Sequence, residues 1–265
     1  MVDSKGLNSK ALKINLEEYK SVFVVGDLHG ELETFHKIVE SWRKEKDSCL
    51  IFLGDYADRG ANGLEIIECL MKLEGKNVVK LKGNHEDYSP SGQPRFYPCT
   101  LIQEVERKYN WNTYFEQKLF PFFSNLYLTA YIPTQILFVH GGISSKIKSI
   151  KDLIEPTKEI EEDLLWSDPV EYEGEHSNMR GAGVEFGKDV TEKVLHNLGM
   201  NMIVRSHQPD IAASGPNISH NGKVITISST GIYGGRPHYL KIETSKIKEL
   251  KIIPKNVTDC VNYVE

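Results

Sequence analysis

The chain has 265 residues and a formal net charge of −5, from 32 Lys+Arg against 37 Asp+Glu; 40% of its residues are hydrophobic and 26% charged. This composition excludes intrinsic disorder, collagen-like repeats and a disulfide scaffold, and the length is enough to bury a large core. Mild acidity without a basic stripe also argues against a nucleic-acid partner, because affinity for phosphate backbones comes from clustered Lys and Arg.

Residues 1–20 alternate charged and polar residues with isolated apolar ones and carry no continuous apolar stretch of a secretory signal, so they read as an N-terminal extension. A β-branched and aromatic run at 21–25 (SVFVV) has the length and composition of a buried strand, and it ends in Gly26-Asp27-Leu28-His29-Gly30. Phe35, Ile38, Val39 and Trp42 follow at the spacing of an amphipathic helix. The grammar then repeats. A strand at 49–53 (CLIFL) ends in GDYADRG, a helix carries Leu64, Ile67 and Met71 with Gly75 as its stop, and a strand at 78–81 ends in Gly83-Asn84-His85-Glu86. This β-α-β-α-β order predicts parallel strands with right-handed crossovers, a topology in which ligands bind beyond the carboxyl ends of the strands.

Residues 87–100, with three prolines, predict a long loop, and 101–123 predict a helix with Leu101, Val105 and Tyr109 on one side. A strand at 136–139 (ILFV) ends in His140-Gly141-Gly142, and the acidic stretch 155–163 reads as a solvated helix face or loop. Val190, Val194 and Leu198 mark a helix before a strand at 202–204, which leads into Arg205-Ser206-His207-Gln208. Strand-like runs at 224–228, 238–242 and 249–253 alternate with turn residues and predict antiparallel pairing. Neither an internal repeat nor a linker divides the chain, so 1–265 reads as a single catalytic domain with 244–265 as a C-terminal strand and tail. Cys49, Cys69, Cys99 and Cys260 form no CxxC pair and read as reduced thiols. No apolar run approaches the ~20 residues that span a bilayer, so a cytoplasmic protein with no membrane partner is expected.

Every polar cluster falls at a strand end, which brings Asp27, His29, Asp55, Asn84, His140 and His207 toward one edge of the sheet. Carboxylate, amide and imidazole donors suit Mn, Fe or Zn and exclude thiolate-rich structural zinc. Six donors are too many for one ion. With one carboxylate bridging, they fit two metals about 3.5–4 Å apart, the arrangement that hydrolyses phosphate esters by in-line displacement. A glycine-rich turn bearing a surface Asp or His would account for any single cluster, but not for five of them, each at a strand end.

GDLHG, GDYADRG, KGNHE and HGG, in this order and spacing, resemble the signature of the calcineurin-like metallophosphoesterase superfamily. LLWSDP at 164–169, Arg180-Gly181 followed by Phe186-Gly187, and RSHQ at 205–208 resemble one branch of it, the phosphoprotein phosphatase family of serine/threonine protein phosphatases. The likeness runs from about 22 to about 228. It implies an α/β fold with a central β-sandwich of mixed sheets flanked by helices, and a metal site at the strand carboxyl ends. It implies that Asp27 and His29 bind a first divalent metal, that Asn84, His140 and His207 bind a second, and that Asp55 bridges them, with manganese foremost and iron or zinc as alternatives. A water or hydroxide shared by the metals is then the nucleophile, Arg59 and Arg180 clamp the phosphate, and His85 is the general acid, oriented by Asp58.

The same resemblance implies phosphoserine and phosphothreonine proteins as partners and a monomeric, small prokaryotic- or archaeal-style enzyme. A diadenosine tetraphosphatase-like nucleotide hydrolase is the alternative. A non-catalytic binding module is opposed by the intact set of ligands together with Arg59 and His85. The chain departs from the family at 228–235, where Tyr233 is offset and the cysteine of the usual Pro-Asn-Tyr-Cys loop is absent, and at 89–94 in the groove wall. Of the other residues, Glu86 reads as a structural carboxylate, and Asp168 either as an arginine partner near the phosphate or as the turn before Pro169. Trp166 either borders the groove or is core. His36, His176, His196, His220 and His238 read as surface or packing residues.

Overall fold

Alternate residues of each central strand face two different cores, and this parity decides the layering. The computed structural model describes residues 9–248 and 258–265. In chain order its elements are β1 (Ala11–Lys13), β2 (Ser21–Val25), α1 (Leu32–Arg43), β3 (Ser48–Phe52), α2 (Gly63–Lys72), β4 (Val78–Lys80), α3 (Leu101–Glu106), α4 (Trp111–Tyr114), α5 (Phe120–Ser124), β5 (Thr129–Ile132), β6 (Ile136–Val139), α6 (Ile150–Ile154) and α7 (Lys158–Trp166). There follow β7 (Asp168–Pro169), β8 (Glu175–Ser177), β9 (Val184–Phe186), α8 (Lys188–Leu198), β10 (Met202–Arg205), β11 (Asn217–Ser219), β12 (Val224–Thr226), β13 (His238–Glu243), α9 (Thr244–Lys248) and β14 (Val261–Tyr263).

The strands form one sheet in the order β1-β5-β6-β10-β12-β11, a second in the order β14-β13-β2-β3-β4, and a small third sheet, β7-β9-β8. Val22, Val24, Ile51, Phe138, Val204 and Ile225 share one buried cluster, so the two large sheets face each other across an apolar layer. Phe23, Val25, Leu50 and Phe52 turn outward onto α1 and α2, and Leu137, Val139 and Ile203 turn outward onto α6, α7 and α8. Strands buried on both faces need apolar residues at every position, which is why their sequences are continuous rather than alternating. The fold is thus the mixed β-sandwich flanked by helices that the resemblance implies.

Several local expectations change. Residues 11–13, placed by sequence in an N-terminal extension, are an edge strand pairing parallel with β5. The helix expected over 101–123 is two parts, Leu101–Glu106 and a second that runs from Trp111 to Ser124 through a π turn. Asn110 starts a new helix by accepting from Thr113 N at 3.1 Å, and Pro121, which has no N–H to donate, is accommodated by a π turn over Phe115–Leu119. The acidic stretch lies mostly in α7, whose Ile160, Leu164 and Leu165 are buried. β12 pairs antiparallel with β11 but parallel with β10, so the C-terminal third is mixed. The strand expected at 249–253 lies outside the described residues, whereas β14 pairs antiparallel with β13.

The carboxyl ends of β2, β3, β4, β6 and β10 all carry the polar clusters, and a parallel bridge between Asp27 and Ser228 joins the two large sheets there. Gly54, at φ +113°, is what lets two of these loops touch, since a Cβ at this position would lie 2.4 Å from Gly83 N. Gly54→Ala is therefore expected to cost about 2 kcal/mol or more of conformational stability, read as a lower denaturant midpoint. An unchanged midpoint would contradict this close approach.

Candidate active site

Three loops meet at Asp55. Its carbonyl accepts from Leu28 N and His29 N, each at 3.0 Å, and its own N–H donates to Glu86 at 2.9 Å. Glu86 also accepts from Tyr56 N at 3.0 Å and Gly83 N at 2.9 Å, so this buried carboxylate replaces three backbone partners that the sharp turns deny. It is the structural carboxylate read from the sequence.

The side chains converge as lone pairs without protons. His140 directs Nδ1–H at the Leu53 carbonyl at 3.1 Å, which leaves Nε2 as an acceptor facing Asn84 Oδ1 at 2.9 Å, His207 Nδ1 at 3.2 Å and Asp55 Oδ1 at 3.3 Å. His29 directs Nδ1–H at the Ala57 carbonyl at 2.9 Å, and its Nε2 faces Asp55 Oδ2 at 3.6 Å and Asp27 Oδ2 at 4.0 Å. Asp27 Oδ2 is buried with no hydrogen-bond partner, as is His207 Nε2, which carries the ring proton when Nδ1 is the acceptor. Acceptors pointing at acceptors in a buried site repel unless a cation lies between them. The donor set therefore fits divalent metals. Two groups of ligand atoms lie within 4.8 Å of one another, His29–Asp55–His85 and Asp55–His140–His207, and Asp55 belongs to both.

Burial sets the protonation. It pushes the Asp27 and Asp55 carboxyls above their usual range, and the Asp27 charge adds to the effect at Asp55. It also lowers His29 to about 3 and holds His140 and His207 well below the ordinary imidazole value. The imidazoles are thus neutral and ready to bind a cation.

His85 lies beside this set. Its Nδ1 donates to Asp58 Oδ2 at 2.8 Å, leaving Nε2 as its free nitrogen on the cleft. The other Asp58 oxygen accepts from Thr100 N at 2.5 Å and Leu101 N at 2.9 Å, which caps α3 and fixes the carboxylate. Arg180 donates from Nε to Asp168 Oδ2 at 2.7 Å. The fully buried Arg205 holds Asp168 Oδ1 from the opposite side at 3.0 Å, so Asp168 is an arginine partner. Arg59 is exposed and its guanidinium lies 5.7 Å from the Tyr233 ring.

A cleft of about 350 Å³ is lined by His29, Asp55, Asn84, His85, Arg59, Arg180 and His207. Asp27, His140 and Asp58 lie behind it, fully buried. All ten residues singled out from sequence therefore gather at one place. Tyr97, Pro209, Asp210 and Tyr233 complete the wall with Trp166, whose ring meets His207 edge-on at 5.7 Å. Tyr233 thus reaches the cleft despite its offset along the loop, because Gly231 N is tied to Glu31 at 2.8 Å. Sequence reasoning assigned no role to Ser206, which donates to Asp27 Oδ1, or to Arg205. Nothing in a five-residue run before His207 signals a contact to Asp27, which is 179 positions away.

The calcineurin-like phosphoesterase family model matches residues 20–210, and the chain belongs to that family. Among solved structures, it is 26% identical to a protein serine/threonine phosphatase from Saccharomyces cerevisiae with similarity to human phosphatase PP5, over 90% of this chain and 78% of that one, with a TM-score of 0.71. This likeness, with the motifs, supports membership of the phosphoprotein phosphatase family. A putative diadenosine tetraphosphatase (13% identity, 97% and 98% coverage, TM-score 0.57) and a cold-active protein-tyrosine phosphatase of a psychrophilic Shewanella (16%, 88% and 77%, 0.59) share the fold. Among the described residues, no helix is long and apolar enough to cross a membrane.

Because the carboxyls are raised and the imidazoles lowered, metal binding should displace protons from Asp27 and Asp55 and none from the histidines. Calorimetric titration between about pH 5 and 6, below the range in which a cation-bound water ionises, in two buffers of different ionisation enthalpy, is expected to show proton release that diminishes as pH rises across that interval. Proton uptake, or release that grows with pH, would contradict the assignment.

Proposed function

We propose that the chain is a metal-dependent phosphatase that hydrolyses phosphoserine and phosphothreonine in proteins, acting as a cytoplasmic monomer with its catalytic unit spanning 1–265. The reading is carried by one observation: the His85–Asp58 pair at 2.8 Å, set directly beside a donor set for two cations. The yeast serine/threonine phosphatase likeness supports the same substrate class.

Asp27 and His29 would hold one cation and Asn84, His140 and His207 the other, with Asp55, which belongs to both groups, shared between them. Such cations, manganese foremost, supply charge neutralisation and a water of lowered pKa. Arg59 and Arg180 bind the phosphate oxygens; Asp168, locked between two arginines, sets the direction of the Arg180 fork. A serine or threonine alkoxide leaves poorly unless it is protonated. His85 would donate that proton from Nε2, with Asp58 engaging Nδ1–H and fixing the direction of the ring. Tyr97, Trp166 and Tyr233 complete the wall of the cleft.

The experiment is a rate comparison on a phosphothreonine peptide, a phosphotyrosine peptide and diadenosine tetraphosphate, with manganese restored after chelation. The phosphothreonine peptide should be hydrolysed fastest, whereas faster turnover of the dinucleotide would reassign the protein as a nucleotide hydrolase. Separately, His85→Ala should lose about 10²–10⁴-fold in turnover on phosphothreonine while retaining its metals, and should lose less on an aryl phosphate, whose leaving group needs less protonation. Equal losses on both substrates would remove His85 from the role of proton donor.

A further inference from the structure

We infer that Asp210 makes this cleft selective for phosphorylated residues that have a basic residue beside them in the chain; the inference rests on the phosphomonoesterase reading above. The cleft-lining charges are otherwise accounted for. Asp55 and the histidines are assigned above to the cation site and to proton donation, and Arg59 and Arg180, which line the same cleft, to the phosphate. Asp210 is the remaining charged group on the wall. It is exposed, it follows Pro209 directly beyond the His207 loop, and only its backbone carbonyl is engaged, accepting from Ala213 N at 3.3 Å. Among the described residues its carboxylate makes no hydrogen bond or ion pair, so its charge does no structural service here.

A carboxylate beside a pocket for a dianion weakens binding of the phosphate itself. It helps only when the substrate carries a compensating cation, and it penalises a second phosphate. Consecutive Cα atoms are about 3.8 Å apart, so a residue flanking the phosphorylated one stays within the mouth of a cleft of this size. A second residue of the lining suits the same guest. Tyr97 lines the cleft and is 91% exposed, leaving a free aromatic face for a guanidinium or a lysine stem. Tyr233 is already occupied by Arg59. An anionic group and an open aromatic ring in one cleft together describe a site for Arg or Lys in the same cleft as the two arginines assigned to phosphate.

The test measures kcat/KM for phosphothreonine peptides that differ only in the flanking residue, Arg, Lys, Ala or Glu. The wild type should prefer Arg over Glu by about fivefold to tenfold at low ionic strength, as expected for a partly exposed charge pair, and the preference should shrink as salt is added. Asp210→Asn should bring the ratio to about twofold or less, and Asp210→Lys should invert it. The ratio is taken within each variant, so a folding defect, which lowers every peptide alike, does not imitate the effect. Diadenosine tetraphosphate should gain relative to the peptides in Asp210→Asn. Equal rates across the peptides, or a preference that persists in Asp210→Asn, would overturn the selectivity while leaving the phosphatase reading intact. Hydrolysis of the dinucleotide with no peptide turned over would overturn both.

Discussion

The structure depends on Asp55 more than on any other residue. Its carbonyl anchors the β2 loop, its N–H binds the Glu86 carboxylate on the β4 loop, and its side chain accepts from His85 N at 3.0 Å while facing His29 with one oxygen and His140 with the other. Burying this carboxylate next to Asp27 is unfavourable, because removing an ion from water costs several kcal/mol and like charges add to it. Cations shared with the imidazoles would supply an opposing contribution. The same arrangement that makes the metal-free site electrostatically poor is what gives it affinity for metal, and folding of the sandwich supplies the energy that holds the donors together.

Backbone strain is concentrated in the same place. Nine non-glycine residues described in the structure have positive φ, and five of them are His29, Asp55, Asp58, Arg59 and His207. Each such conformation costs on the order of 1–3 kcal/mol. They persist because the flanking strands are buried on both faces and fix the loop ends. The left-handed turn at Asp58 and Arg59 sends consecutive side chains in different directions, one to His85 and the other to the cleft rim. Regular strand or helix geometry would not deliver both.

The ligand set was legible in the sequence because each donor follows an apolar run whose end the topology places on one edge. The sandwich itself was less so. β1 and β5 are only three and four residues long, with too little pattern to separate them from loop. The interruption of the helix after Glu106 turns on Asn110 and the π turn beyond it on Pro121, local signals that the longer apolar spacing obscured. The supports behind the site were invisible. Arg205 reads as a charged residue ending a strand, yet it is fully buried against Gly141 and Asp168, and no periodicity encodes a partner 37 positions away. Tyr233 shows the converse case, in which a residue displaced along its loop still arrives at the cleft because the loop is tethered to Glu31.

The account stands on two cations sharing one carboxylate. Electron paramagnetic resonance of the manganese-loaded protein, with metal content determined on the same sample, addresses this directly. Two ions per chain are expected, with the broadened spectrum of an exchange-coupled pair. A single ion per chain, or two ions giving the spectrum of isolated manganese, would mean that Asp55 does not join two neighbouring sites.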